Sequence, residues 1–145
     1  MRVVRLRSVK NGVVGLVAAG VFVGGAGVAV AASWHELPAR KSGGVLFEHA
    51  EYRLNAPGVN HGSFEWRGDL TDKSDTDGHN VYVLVKVEGH DWVRYNGKQN
   101  KTVTMHHSNW DGAERYTMDA YLRACRDRGS LNPDNCSHPV HYNRR

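Results

Sequence analysis

The sequence is poor in cysteine and lacks the short motifs that would assign a catalytic activity. Its 145 residues include two cysteines, and their spacing is not the C-x-x-C of thiol redox enzymes. Two thiolates alone would also make a poor zinc site. No H-E-x-x-H metal motif and no G-x-S-x-G nucleophile elbow occurs. These absences argue against redox, zinc-dependent and serine hydrolase chemistry.

Acidic residues are missing from the start of the chain, where Glu36 is the first. An apolar, glycine-rich run covers residues 13–32 and contains the small-x-small sequence Ala29-Val30-Ala31. Four basic residues precede the run: Arg2, Arg5, Arg7 and Lys10. This order is typical of a secretory signal peptide, and we expect cleavage after Ala31. A retained membrane anchor is the alternative, because the run is just long enough to span a bilayer.

The excess positive charge of the chain lies entirely in that segment. The full sequence has 19 Lys and Arg against 15 Asp and Glu. Without the four basic residues of the signal peptide, 15 cations face 15 anions, so the net charge is zero with neutral histidine. A nucleic-acid binder needs a concentrated positive surface, so we expect no nucleic-acid partner. A local basic patch around Arg123, Arg126 and Arg128 stays open.

The two cysteines, Cys125 and Cys136, can pair in one way. In an exported chain with an even number of cysteines, a disulfide is the expected state. The closed loop is short, so the chain-entropy model gives a stabilisation a little under ~3 kcal/mol.

Alternation of apolar and polar residues predicts an all-β fold. The clearest case is the segment 81–87, where every second residue is valine: Val81, Val83, Val85 and Val87. A period of two predicts a strand with one buried face. Less regular alternation predicts strands over residues 45–54, 63–70, 91–95, 101–106 and 113–125. Turn residues separate these segments.

About six strands with short turns predict an antiparallel β-sandwich or a small open barrel. We therefore divide the chain into a signal peptide (1–31), a flexible lead-in (32–44) and a β domain (45–145) with a disulfide-clipped tail. Residues 126–145 are expected to be loop-like, with a frayed end.

Two motifs resemble those of a group of small exported actinobacterial proteins. The first is Asp75-x-Asp77-Gly78-His79-Asn80-Val81-Tyr82, in which a D-x-D-G turn leads into a strand. The second is the C-R-D-R-G-S-L-x-P-D-x-C clip between Cys125 and Cys136. The resemblance covers roughly the second half of the chain after residue 31. It implies an exported protein with this architecture, and it assigns no activity or catalytic residue.

Metal sites are not supported by the spacing of the nine histidines. Adjacent residues on a strand point to opposite faces, so His106 and His107 cannot both bind one ion. The polar loop 71–78 is similar to a calcium-binding loop, but Lys73 occupies a position that requires an acid. We predict a plain turn, with a calcium site on Asp72, Asp75 and Asp77 as the alternative. No cofactor is expected, although nine imidazoles would make the domain positive in acid.

Aromatic residues provide the candidate binding site. Trp110 lies in a Ser-Asn-Trp-Asp-Gly turn and is the best candidate for an exposed contact, with Tyr95 and Tyr121 as further candidates. We assign Trp66 and Trp92 to the core. The sequence thus predicts a secreted, non-catalytic binding or envelope-associated monomer whose partner is an extracellular protein or a cell-wall component.

A small secreted hydrolase is the alternative. A nuclease-like site would combine His106 or His107 with Glu114 and Arg115, as acid, base and phosphate clamp. A histidine, a carboxylate and an arginine within hydrogen-bond reach in one pocket would favour the enzyme. An exposed aromatic strip without such a cluster would favour binding.

Overall fold

The computed structural model describes residues 32–74, 76–112 and 115–144. The predicted signal peptide and its cleavage site at Ala31 lie outside the described residues, as do Asp75 and Glu114. Within the described ranges, no helix has the length and apolar character needed to cross a membrane.

The chain folds into two antiparallel sheets of five strands each, which confirms the predicted all-β, sandwich-like architecture. The strands are β1 (His35–Leu37), β2 (Arg40–Ser42), β3 (Val45–Leu54), β4 (Phe64–Asp72), β5 (Val81–Val87), β6 (Val93–Asn96), β7 (Thr102–Asn109), β8 (Asp119–Arg126), β9 (Asn135–Cys136) and β10 (Val140–Asn143). The first sheet has the order β1-β3-β4-β7, with β2 also beside β3. The second has the order β10-β8-β5-β6, with β9 also beside β8.

Both ends of the described chain are more ordered than the sequence predicted. The expected lead-in contains β1 and β2, which pair with β3, and its Leu37 is 2 % exposed. The expected loop-like tail contains β9 and β10, which pair with β8, and its Tyr142 is buried. Frayed ends were therefore wrong here, and the described residues form ten strands instead of about six. Two to four residues are too few to show a period, so only the edges of β3 and β8 define these strands.

The core lies between the sheets and is built by the predicted alternation. The four valines of β5 are all buried, and the side chains between them point to the other face. From the first sheet, Phe64, Trp66 and Leu70 of β4 are completely buried. Burial of each such side chain contributes about 1.5–3 kcal/mol. The core therefore fixes which face of each strand is free for function.

Two predicted boundaries were wrong. β7 continues to Asn109, which was expected in a turn, because the Trp66 indole donates a hydrogen bond to its side-chain oxygen at 3.0 Å. β8 begins only at Asp119. Just before it, Thr117 donates from its backbone to Gly62 across the sandwich, so this segment is held outside the ladder.

The predicted disulfide is present. It joins Cys125 of β8 to Cys136 of β9, which lie directly opposite each other in the ladder with their Cα atoms 4.0 Å apart. The bond therefore holds the tail against the second sheet.

Candidate functional site

The two outer faces of the sandwich carry opposite charge. Outward positions follow from the strand registers, because they alternate with the buried positions. On the strands of the first sheet, the outward charged residues are Glu36, Lys41, Glu48, Glu51, Arg53, Glu65, Arg67 and Asp69. On the strands of the second sheet they are Lys86, Arg94, Asp119 and Arg123. Acidic residues thus dominate the first outer face and basic residues the second.

Glu65 is the centre of a polar cluster on the first sheet. Although it lies on the outer face, it is only 5 % exposed. One carboxylate oxygen accepts hydrogen bonds from Arg53 at 2.9 Å, Asn55 at 2.8 Å and Asn60 at 3.2 Å. The other lies 2.7 Å from Nε2 of His106. Burial raises the pKa of Glu65, but these hydrogen bonds together outweigh it and lower the pKa to about 2.

Trp34 covers this cluster. Its ring lies 4.5 Å from the guanidinium carbon of Arg53 and 4.2 Å from that of Arg67. The edge of the His106 ring meets it with the centroids 5.7 Å apart. Arg67 also donates to Glu51 at 2.8 Å. Both arginines therefore have a carboxylate partner and an aromatic ring. We call Trp34, Arg53, Glu65, Arg67 and His106 the Glu65 cluster.

The Glu65 cluster contains the combination of groups expected of a hydrolase, with different members. Glu65 and Arg53 contact one another and His106 contacts Glu65, whereas the sequence pointed to Glu114 and Arg115. A carboxylate with a pKa of about 2 stays ionised at neutral pH, so Glu65 can orient an imidazole but cannot act as a base.

His107 lies on the opposite face of β7 from His106, as predicted. Its ring is 5.2 Å from Trp66 and 4.3 Å from Tyr95, between the sheets. Burial and the neighbouring His106 lower the pKa of His107. The two adjacent histidines therefore cannot act on one ligand.

The second outer face places cations beside aromatic rings. Leu84 lies between Arg94 and Arg123 in one row across the sheet, and Lys86 lies beside Tyr121 in the next. The guanidinium of Arg123 sits 4.7 Å from the centre of the Trp92 ring. We call Lys86, Trp92, Arg94, Tyr121 and Arg123 the basic face.

The cations of the basic face differ in their partners. Arg94 lies over the Tyr82 ring at 3.6 Å and donates to Asp127 at 2.9 Å. In the part of the chain that the structure describes, no carboxylate pairs with Lys86 or Arg123. Nε of Arg123 is buried and has no hydrogen-bond acceptor there. These two cations are the least satisfied groups on either face.

The three predicted binding residues do not share a surface. Tyr95 lies opposite Val83 and points between the sheets, where its hydroxyl accepts a hydrogen bond from Asn109 at 2.7 Å. Trp110 is 43 % exposed and stacks on His61 with centroids 4.4 Å apart. Tyr121 is on the basic face and stacks on His141 at 4.5 Å. Tyr121 is therefore the one of the three that lies beside other candidate contacts.

Sequence reasoning missed most of the basic face. Trp92 was assigned to the core, but its ring is half-buried beneath Arg123 on the outer surface. The alternation of β5 could have identified Lys86 as outward, opposite the valines. No sequence signal shows that β8 neighbours β5, which is what brings Arg123 and Tyr121 to the same place.

The aspartates of the polar loop are used within the fold. Asp72 accepts backbone hydrogen bonds from Ser74 at 2.9 Å and Asn100 at 3.1 Å. Asp77 pairs with Arg126, which therefore does not join Arg123 in a basic patch. Across residues 32–74, 76–112 and 115–144, no group of three or more His, Cys, Asp or Glu could hold a metal ion.

The geometry thus supplies one saturated cluster and one face with unpaired cations. A saturated cluster is suited to stabilising the sheet, whereas unpaired donors beside aromatic rings are suited to binding an anionic or polar partner. Comparisons of the chain with protein-family models, with curated proteins and with solved structures found no match.

Proposed function

We propose that the protein is an exported, non-catalytic domain that binds an extracellular or envelope component through the basic face. One observation carries the proposal: Arg123 and Lys86 lie beside Trp92 and Tyr121 without a carboxylate partner among the described residues. Charges that serve stability are paired in this fold, as in the Glu65 cluster. Donors left unpaired on a flat sheet are suited to a partner from outside the chain.

Export is supported by the sequence and by the disulfide. The basic, acid-free start of the chain is followed by an apolar run and a small-x-small site. The Cys125–Cys136 bond requires an oxidising compartment to persist. The resemblance to small exported actinobacterial proteins points the same way. We expect the mature protein to begin at Ala32 and to be a monomer.

A flat, rigid surface favours binding over catalysis. The basic face is formed by the central strands β5 and β8 and the edge strand β6, which the valine core holds in place. Rigid strands present side chains at fixed spacing, which lowers the entropic cost of binding an extended partner.

A sedimentation assay with an envelope fraction tests the proposal. The double variant Lys86→Gln/Arg123→Gln removes both unpaired cations, and Lys41→Gln removes one exposed cation from the other sheet as a matched control. We expect the double variant to lose most of its binding and the control to bind like the wild type. Equal binding by all three proteins would rule out the basic face as the contact surface.

A hydrolase is the second candidate, and the contact between His106 and Glu65 at 2.7 Å favours it. Glu65 would orient the imidazole, whose other nitrogen is available because the His106 side chain is 56 % exposed. Arg67, beside it on β4, would stabilise negative charge. Phosphodiester hydrolysis that is abolished in His106→Ala but retained in His107→Gln would establish this function instead.

A further inference from the structure

We infer that the ligand of the basic face is a linear anionic glycopolymer, that is, a chain of sugar or polyol units that carries phosphate or carboxylate groups. The inference rests on the proposed function and specifies the chemical class of its ligand. It depends on the charge, the spacing and the ring contacts of the basic face.

The charge of the face calls for an anion. The outward strand residues of the second sheet are three cations and one anion, and the anion, Asp119, is held by His141 at 2.6 Å. Lys86 and Arg123 make no hydrogen bond within the described part of the chain. Phosphate or carboxylate oxygens are the strongest acceptors for such donors.

The spacing of the cations calls for a chain with repeated charge. Arg94 and Arg123 are separated by one strand, so their backbones lie about 10 Å apart. Lys86 and Arg123 are diagonal neighbours across one ladder, about 7–8 Å apart. One small anion could not contact all three positions. A linear polymer lying across the strands could contact each of them through a different unit.

The aromatic rings favour sugar units over nucleobases. Every ring of this face already has a cation or an imidazole on one side: Arg123 on Trp92, Arg94 on Tyr82 and His141 on Tyr121. Binding of single-stranded nucleic acid depends on open ring faces on which successive bases stack. Ring edges, a phenol hydroxyl and guanidinium donors are instead suited to hydroxylated units.

A protein partner is disfavoured by the lack of an apolar anchor. Leu84 is the one aliphatic side chain in the middle of the face, and it is half-buried between two arginines. Protein interfaces usually bury a central cluster of apolar or aromatic residues in a pocket. The basic face is suited to polar contacts along a flat surface.

Titration calorimetry with four defined probes tests the inference. The probes are polygalacturonate for carboxylate, poly(glycerol phosphate) for phosphate, dextran as the neutral polymer and oligodeoxythymidine as the nucleic acid. We expect binding to at least one of the two anionic glycopolymers, weakened by added salt, and the stronger of the two identifies the anionic group. Lys86→Gln/Arg123→Gln should lower the affinity about tenfold or more, and Lys41→Gln should change it less than about twofold.

Several results would overturn the inference. These are equal affinity for dextran, tighter binding to oligodeoxythymidine, no binding to either anionic glycopolymer, or equal losses in the double variant and in Lys41→Gln. Near-ultraviolet circular dichroism shows whether the double variant is folded, and Lys86→Glu provides a second variant with a charge reversal.

The envelope assay separates this inference from the proposed function. If the double variant loses envelope binding while no purified glycopolymer binds, the ligand class is wrong and the binding function is retained. If the double variant keeps its envelope binding, the proposed function is wrong as well.

Discussion

The two outer faces of the sandwich use the same residue types in different ways. On the first sheet, Arg53 and Arg67 lie against Trp34, and each also pairs with a carboxylate. On the second sheet, Arg123 lies against Trp92 and has no carboxylate partner among the described residues.

The difference separates a structural role from a binding role. A nearly buried carboxylate such as Glu65 must be satisfied internally, because an unpaired buried charge is costly. A cation near water needs no such partner and remains available for a ligand. The contrast implies that substitutions in the Glu65 cluster should mainly change stability, and substitutions on the basic face should mainly change binding.

The largest expected effect is that of Glu65→Gln. Loss of the carboxylate charge leaves Arg53 half-buried without its ion-pair partner, and we expect the free energy of unfolding to fall by about 3 kcal/mol. Urea denaturation followed by tryptophan fluorescence measures it. Glu51→Gln is the matched control, because its pair with Arg67 is exposed and should contribute at most about 1 kcal/mol. Similar effects of the two substitutions would show that burial does not determine the role of Glu65.

Acid should weaken the first sheet through the same group. The folded pKa of Glu65 is about 2, below its ordinary value of 4.5, so its contribution is complete above the unfolded pKa and is lost as the pH falls toward 2. The loss should amount to about 3 kcal/mol. Measured between about pH 6 and pH 2.5, the difference in unfolding free energy between the wild type and Glu65→Gln should shrink as the pH falls. A difference that is constant with pH would contradict the lowered pKa.

Removal of the disulfide tests the second sheet. In Cys125→Ser/Cys136→Ser, the chain-entropy model predicts a loss of a little under ~3 kcal/mol. Because β9 pairs with β8 beside the basic face, we expect ligand affinity to be largely retained while the variant is folded. Thermal unfolding and the envelope assay measure the two properties. Loss of binding in a folded variant would show that the disulfide positions the basic face.

A smaller effect should distinguish the two tryptophans. Trp34→Ala removes a ring that lies over two arginines, and we expect a loss of about 1–2 kcal/mol in stability with binding unchanged. Trp92→Ala removes the ring beneath Arg123 and should cost about 0.5–1 kcal/mol, but it should weaken binding. Chemical denaturation and the envelope assay are run on both variants. The reverse assignment of effects would exchange the roles of the two faces.

The sequence predicted the parts of the fold that repeat with a clear period. Alternating valines identified β5 and its buried face, and β3 begins and ends at the predicted residues. The strands β1 and β10 were missed because three or four residues show no period, and they form only where β3 and β8 offer a free edge. Local patterns therefore predict long strands, and tertiary pairing determines the short ones.

The candidate site was less predictable because it depends on strand order. Tyr121 was identified from its residue type, whereas its neighbours Lys86 and Arg123 follow from the adjacency of β5 and β8. Tyr95 was assigned to the surface, but the register of β6 points it inward. A four-residue strand offers too few positions to tell which face is buried.

The most direct test of the contrast between the faces measures stability and envelope binding together for Lys86→Gln/Arg123→Gln. These cations have no carboxylate partner in the described chain, so we expect the unfolding free energy to change by less than about 0.5 kcal/mol while binding is largely lost. A double variant that is clearly destabilised and still binds the envelope fraction would contradict the assignment of binding to the second sheet.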